Sequence, residues 1–218
     1  RVIHTREFEN PDYLANPVNR CYFCKTELFT ELVPLARAEG FAVIVYGENA
    51  SDVGDFRPGA RAAAEFKVRA PLKEAGLTKA EIRALSARFG LPTADKPQMA
   101  CLSSRVPYGQ AVSPAKLGMI EQAENVLRDL GFYDIRVRHH ELKSELPRAL
   151  ARIEVGVAEL PKFLGNGTAA RVAEALKKIG YAHVTVDLQG YRRGSLNEAS
   201  GTAPAAADAP APETGATF

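Results

Sequence analysis

Between Lys25 and Glu39 the chain carries Leu28, Leu32 and Leu35 at helical spacing with Gly40 as a stop, and this predicts a helix. The continuous apolar run Phe41-Ala-Val-Ile-Val-Tyr46 predicts a strand buried in a parallel sheet, ending at Gly47-Glu-Asn-Ala-Ser51. The Ala-rich stretch from Pro58 to Phe66 predicts a second helix, and Val68 to Pro71 a short strand. Thr78-Lys-Ala-Glu81 reads as a capping box, opening a helix that carries Ile82, Leu85 and Phe89 on one face and closes at Gly90. This alternation up to Pro97 predicts an α/β class. The pattern then changes. Ser113-Pro114 begins a helix with Leu117, Ile120, Leu127 and Leu130 at helical spacing, ended by Gly131. Strand-like runs at Asp134–Arg138 and Ala149–Val155, a helix from Thr168 to Ile179 and a last strand His183–Asp187 predict an α+β unit. The domain boundary is accordingly expected near residue 108, separating units 1–108 and 109–198. The Ala/Pro tail, 199–218, has almost nothing to bury and is expected to be disordered.

Charge and composition narrow the function classes. Lys and Arg number 28 against 26 Asp and Glu, so anion binding has to be local, not a property of the whole surface. A nucleic-acid or membrane partner is therefore not expected. No apolar run approaches the roughly 20 residues that span a bilayer, and a soluble, cytoplasmic protein is expected.

Three cysteines carry the most specific chemistry: Cys21 and Cys24 in Asn19-Arg-Cys-Tyr-Phe-Cys-Lys25, and Cys101 in Met99-Ala-Cys-Leu-Ser-Ser-Arg105. A close pair plus a distant third thiolate closes most of a four-ligand shell and leaves one position open. An iron–sulfur cluster with an open iron fits that count. A structural zinc, its fourth ligand drawn from His4, His139, His140 or His183, or a dithiol redox pair fits the Cys-x-x-Cys as well. Cys101 alone could be a small buried hydrophobe, but its serine- and arginine-rich surroundings describe a polar loop.

Arg136 and Arg138, two apart on a predicted strand, share a face, and Ser103, Ser104 and Arg105 follow Cys101 directly. Guanidinium groups with hydroxyls nearby suit a phosphate monoester, and a solvated sheet face is the plainer alternative. Adjacent His139 and His140 point to opposite faces and make a poor metal pair. Glu124, on the helix after the boundary, is a weaker candidate for substrate or metal contact, its alternative being an exposed helix carboxylate. Gly47, Asn49, Asp52, Asp55 and Arg57 form a loop rich in permissive backbone and polar groups, placed directly after the predicted strand. It suits a nucleotide or metal contact, or merely an Asx-capped turn into a helix.

Together, Asn16-Pro-Val-Asn-Arg-Cys-Tyr-Phe-Cys-Lys25, Gly54-Asp-Phe-Arg-Pro-Gly59, Ala100-Cys-Leu-Ser-Ser-Arg-Val-Pro-Tyr-Gly109 and Ile135-Arg-Val-Arg-His-His140 closely resemble the LarE family of ATP-dependent pyridinium-3,5-biscarboxylic acid mononucleotide sulfur transferases. Pro71-Leu…Leu77-Thr-Lys…Arg83 and Gly90-Leu-Pro…Lys96-Pro97 look like the wider adenine-nucleotide α-hydrolase, or PP-loop, superfamily. The resemblance covers residues 1 to about 198. It implies a Rossmann-like PP-loop parallel sheet with a small C-terminal α+β domain, and an enzyme that adenylates a substrate carboxylate with ATP and Mg²⁺. Sulfur then replaces the adenylate oxygen, and the thiocarboxylate product feeds a nickel-pincer nucleotide of lactate racemases. One branch of the family spends the sulfur of a cysteine corresponding to Cys101. Another holds a [4Fe-4S] cluster on three cysteines, and Cys21, Cys24 and Cys101 place this chain with that branch. Ser104, Arg105, Glu124, Arg136 and Arg138 then become the substrate side, and a homo-oligomer is implied.

Two other functions fit parts of the pattern: a PP-loop tRNA thiouridylase, which the near-neutral charge disfavours, and a non-catalytic zinc module. The sulfur donor is not legible from the residues. Family members begin with a Ser-Gly-Gly-x-Asp-Ser phosphate loop, which these 218 residues lack, and the chain opens on Arg1, so a missing N-terminal part is expected. Weak or no Mg-ATP binding is the expected outcome for this chain, and isothermal calorimetry checks it; tight binding would overturn the expectation.

Overall fold

The computed structural model describes residues 1–96, 99–143 and 148–192. The Ala/Pro tail lies outside the described residues. Five helices precede residue 97: α1 (Pro11–Leu14), α2 (Arg20–Ala38), α3 (Pro58–Glu65), α4 (Pro71–Glu74) and α5 (Lys79–Arg88). They are followed by α6 (Pro114–Asp129), β1 (Ile135–Leu142), β2 (Arg148–Val155), α7 (Thr168–Ile179) and β3 (His183–Val186).

Local signals locate most of these ends. Thr78 and Glu81 make the reciprocal capping box of α5. Ser113 accepts the Lys116 N–H at the start of α6, with Pro114 in the first turn. α2 departs from expectation by starting at Arg20, five residues before the predicted start at Lys25. Its opening turn is periodic in a way the leucines do not reveal: Phe23 and Cys24 pack toward Tyr13 and Val106, while Tyr22 packs toward Phe29 and Ala62. The cysteine pair thus lies inside the first turns of a helix and not before it.

The run Phe41–Tyr46 also departs from expectation. Only one parallel bridge forms there, Val45 to Arg69, and Phe41, Val43 and Val45 are 63%, 48% and 56% exposed. A strand is buried only when partners cover both faces. Among the described residues Ile44 and Tyr46 find such cover, against Phe29 and Val68, and their alternate neighbours do not. Helix and strand are mixed, as the α/β class requires, but the sheet lies in the C-terminal part.

That sheet runs β1-β2-β3, with β1 antiparallel to β2 and β3 parallel to it. Alternation turns Ile135, Val137, Ala151, Ile153 and Val155 toward Ala123 and Leu127 of α6 and Val172 and Leu176 of α7. The other face carries Arg136, Arg138, Arg152 and Glu154, with Arg136 opposite Glu154 in register. A second cluster joins Tyr13 and Val106 to Val112 and Ile120, so apolar packing is continuous across residue 108.

His139 falls on the core face of β1, where its Nδ1 lies 3.3 Å from the Tyr181 hydroxyl. Burial, helped by the nearby Lys116 charge, lowers its pKa. A folded state that resists protonation is fully stable above the ordinary histidine value of about 6.5 and loses stability as pH falls below it. The thermal midpoint should therefore drop between pH 7.5 and 5 by more in the native protein than in His139→Gln, as calorimetric scans at each pH would record.

Candidate active site

Tyr13, Asn16 and Arg20 form a short polar ladder that receives the loop carrying Cys101. Pro17 and Asn19 turn the chain into α2, and Asn16 adopts the left-handed conformation, φ 53°. From that position its amide donates to the carbonyls of Val106, Pro107 and Gln110 at 3.3, 2.8 and 3.0 Å. Arg20 donates to Asn16 Oδ1 and, at 3.0 Å, to the Ser103 carbonyl. The Tyr13 hydroxyl and Ser103 Oγ are 2.7 Å apart.

From the opposite side the loop is held by two more arginines. Arg105 pairs with Glu124 of α6 through Nε to Oε1 at 2.7 Å and Nη2 to Oε2 at 3.1 Å, and the two side chains are 1% and 0% exposed. Its remaining Nη1 donates to the carbonyls of Ala100 and Cys101 and to Ser104 Oγ, at 2.9, 3.2 and 3.0 Å. Glu124 also accepts from Arg128 and from the Val137 backbone N–H. Arg138 donates to Glu154 at 2.7 Å and to the Ser104 carbonyl at 2.9 Å. Arg136 stacks on Tyr191, its guanidinium 4.4 Å from the ring centre. Glu124 is therefore no exposed helix carboxylate but the buried counter-ion of the cysteine loop, and the polar sheet face at Arg138 is buried and paired, not solvated.

These contacts aim Cys101 into a cavity of about 410 Å³ that Cys21, Cys24, Tyr13, Arg20 and Lys25 also line. Burial pushes the Cys24 thiol up to about 11, with the Cys101 sulfur adding to the rise. Cys21 is raised for the same reason, although Arg20 opposes the shift. Among the described residues no three His, Cys, Asp or Glu side chains stand close enough to hold a single metal ion.

The glycine-rich loop builds adjoining cavities. Gly47, Asn49, Asp52 and Arg57 line one of about 480 Å³ together with Lys79, Arg83 and Lys96. Gly47 and Arg57 line a second, of about 420 Å³, whose far wall is Cys21 and Lys25. Cys21 and Lys25 therefore stand between the loop and the cysteine cavity. Gly59 permits this closeness, since a Cβ there would sit 3.1 Å from Lys25 Cγ and 3.4 Å from the Cys21 carbonyl. Asp52 accepts from Arg57 at 2.6 Å and lies 2.7 Å from Lys79 Nζ. Burial alone would raise its carboxyl, but Lys79 and Arg57 outweigh burial and hold it below the usual range. Asp55 stands at the margin, 3.5 Å from Arg57. Burial also lowers the Lys25 ammonium, against the nearby cysteines and Glu48, and its Nζ lies 4.7 Å from the Tyr46 ring centre.

Sequence reading missed Tyr13, Asn16, Arg20 and Lys25. Asn16, Arg20 and Lys25 lie in the segment that carries the cysteine pair; Tyr13 and Asn16 gain meaning only once the loop folds onto them. Removing one member of a buried ion pair strands the other, so Glu124→Ala should cost about 3–5 kcal/mol, and Glu124→Gln less, in denaturant unfolding.

No family model matches the chain. Over 196 residues, 90% of this chain and 70% of the relative, it is 42% identical to an uncharacterized protein of Synechocystis sp.. It is 28% identical over 179 residues to an uncharacterized protein of Methanocaldococcus jannaschii. To the pyridinium-3,5-bisthiocarboxylic acid mononucleotide synthase of Lactiplantibacillus plantarum it is 33% identical over 195 residues, 89% of this chain and 67% of that enzyme. At that identity and coverage the chain belongs to the LarE family of such synthases.

Proposed function

We propose that this chain carries the sulfur-transfer site of an ATP-dependent enzyme that thiolates the carboxylates of a pyridinium-3,5-biscarboxylic acid mononucleotide. The single observation that carries this reading is the convergence of Cys21, Cys24 and Cys101 on one cavity, which shares Cys21 and Lys25 with the cavity beside the Gly47–Arg57 loop. Thiolation needs two things side by side: a carboxylate made electrophilic by adenylation, and a sulfur nucleophile screened from water. In the proposed arrangement the loop of Gly47, Asn49, Asp52, Asp55 and Arg57 faces the nucleotide, and Lys79 and Arg83 add positive charge for its phosphates. Mg²⁺ would accompany ATP as its counter-ion. The remainder of a Rossmann-like PP-loop sheet belongs to this proposal.

The donor chemistry of the cavity fits a [4Fe-4S] cluster. All three cysteines line the one cavity, and a cluster of this kind takes a different thiolate on each of three irons. When bound, the cluster would supply an open iron able to carry the transferable sulfide. The chain's own residues do the rest. Arg20 and Lys25 place positive charge beside the sulfurs, and Phe8, Leu102 and Leu117 give the cavity an apolar wall, while Cys21 and Cys101 stay open to solvent. On the substrate side Arg136 and Arg138, with Ser104 between β1 and the cysteine loop, are assigned to the phosphate. Arg105 and Glu124 hold that loop in place. A homo-oligomer is part of the proposal, as is the small unit 109–198 as substrate and assembly domain; among the described residues no helix is long and apolar enough to cross a membrane.

Anaerobic purification with iron, acid-labile sulfide and zinc analysis tests the donor set, and about one zinc without sulfide would sink the cluster. Cys21→Ala and Cys24→Ala should each abolish thiocarboxylate formation. If those variants instead complete one turnover and residue 101 loses the mass of hydrogen sulfide to become dehydroalanine, Cys101 is itself the sulfur source.

A further inference from the structure

Arg20 is 3% exposed, and no carboxylate partners it among its hydrogen bonds. Its acceptors are the Asn16 amide oxygen and the Ser103 carbonyl, and its Nη2 points to Cys101 Sγ at 3.9 Å. The oxygens that satisfy this buried guanidinium are neutral, no ion pair compensates it among the described residues, and its other partners are the sulfurs of Cys101 and Cys21, with Glu7 the one carboxylate lining the cavity. The other arginine on this loop differs in that respect, because Arg105 is neutralised by Glu124. Arg20 also borders Cys21 from the preceding position of α2, close enough to oppose the burial effect on that thiol.

We propose that Arg20 is the positioning residue of the cysteine cavity, its neutral acceptors fixing the guanidinium so that one N–H and an unneutralised positive charge face the Cys101 sulfur. The planar fork matters here: one Nη spans two oxygens while the other reaches sulfur, which a lysine ammonium cannot reproduce from one point. The inference rests on the reading of Cys101 as a sulfur-handling residue, and it concerns the charge that this sulfur meets. An anionic sulfur, bare or metal-bound, would be held toward Cys21 and Cys24 and drawn away from solvent.

The test uses the reduced, metal-free full chain and two alkylating probes, anionic iodoacetate and neutral iodoacetamide, with mass spectrometry resolving each cysteine. Both reagents attack the same thiolate, so the ratio of their rates reads local charge independently of how much thiolate is present. At Cys101 the iodoacetate-to-iodoacetamide ratio should exceed that of a free cysteine peptide at least threefold. It should fall most of the way toward the peptide value in Arg20→Gln, where Lys25 remains, and lie between in Arg20→Lys. A native ratio at or below the peptide value would overturn the proposal, and this arm needs no variant to fold. An elevated ratio that persists in folded Arg20→Gln would overturn it equally. Failure of thiocarboxylate formation leaves the ratio untouched, so the two readings fail separately.

Discussion

Everything around the candidate site depends on the buried pair of Arg105 and Glu124. Desolvating two opposite charges is expensive unless geometry and further hydrogen bonds are both good. Here the pair is bidentate, Glu124 accepts from Arg128 and the Val137 N–H as well, and Arg105 spends its remaining Nη on the loop's own carbonyls. The consequence is a single turn of 3-10 helix, Leu102–Arg105, that side chains and not a strand ladder hold in place. Because Glu124 lies on α6 and Val137 on β1, the same pair locks the cysteine loop to the C-terminal sheet.

A second set of contacts locks the other side of that loop to α1 and α2. Tyr13, Asn16 and Arg20 grip Ser103 and the carbonyls beyond it, and the apolar cluster of Tyr13, Val106, Val112 and Ile120 lies beneath them. Two regions distant in sequence thus meet at Cys101. One brings the paired cysteines in the first turns of a helix; the other brings a sheet face of arginines. The chemistry assigned to the site needs both, since a sulfur and the phosphate end of its substrate have to be presented together.

The arginines at this meeting point are partnered in different ways. Arg138 is answered by Glu154 and Arg105 by Glu124, whereas Arg20 is met by neutral oxygens. An overall charge of +2 conceals this distribution entirely. Local pairing, not net charge, decides where an anionic sulfur or phosphate finds a favourable field.

By itself the sequence determined the short-range features: the Thr78/Glu81 capping box, the Ser113-Pro114 start of α6, the Thr168–Ile179 helix and the shared face of Arg136 and Arg138. Each follows from contacts within a few residues or from the two-residue period of a strand. It also singled out the three cysteines, because their spacing and polar neighbours are visible along the chain. Tertiary structure alone decided that Phe41–Tyr46 forms a single bridge, since burial of a strand depends on partners the run does not encode. Only folding, likewise, turned Glu124 from a helix carboxylate into a buried counter-ion, and made Asn16 and Arg20 part of a site 80 to 90 residues away. Those roles arise from which oxygen and which charge come within hydrogen-bond distance, and nothing in a residue's own segment fixes that.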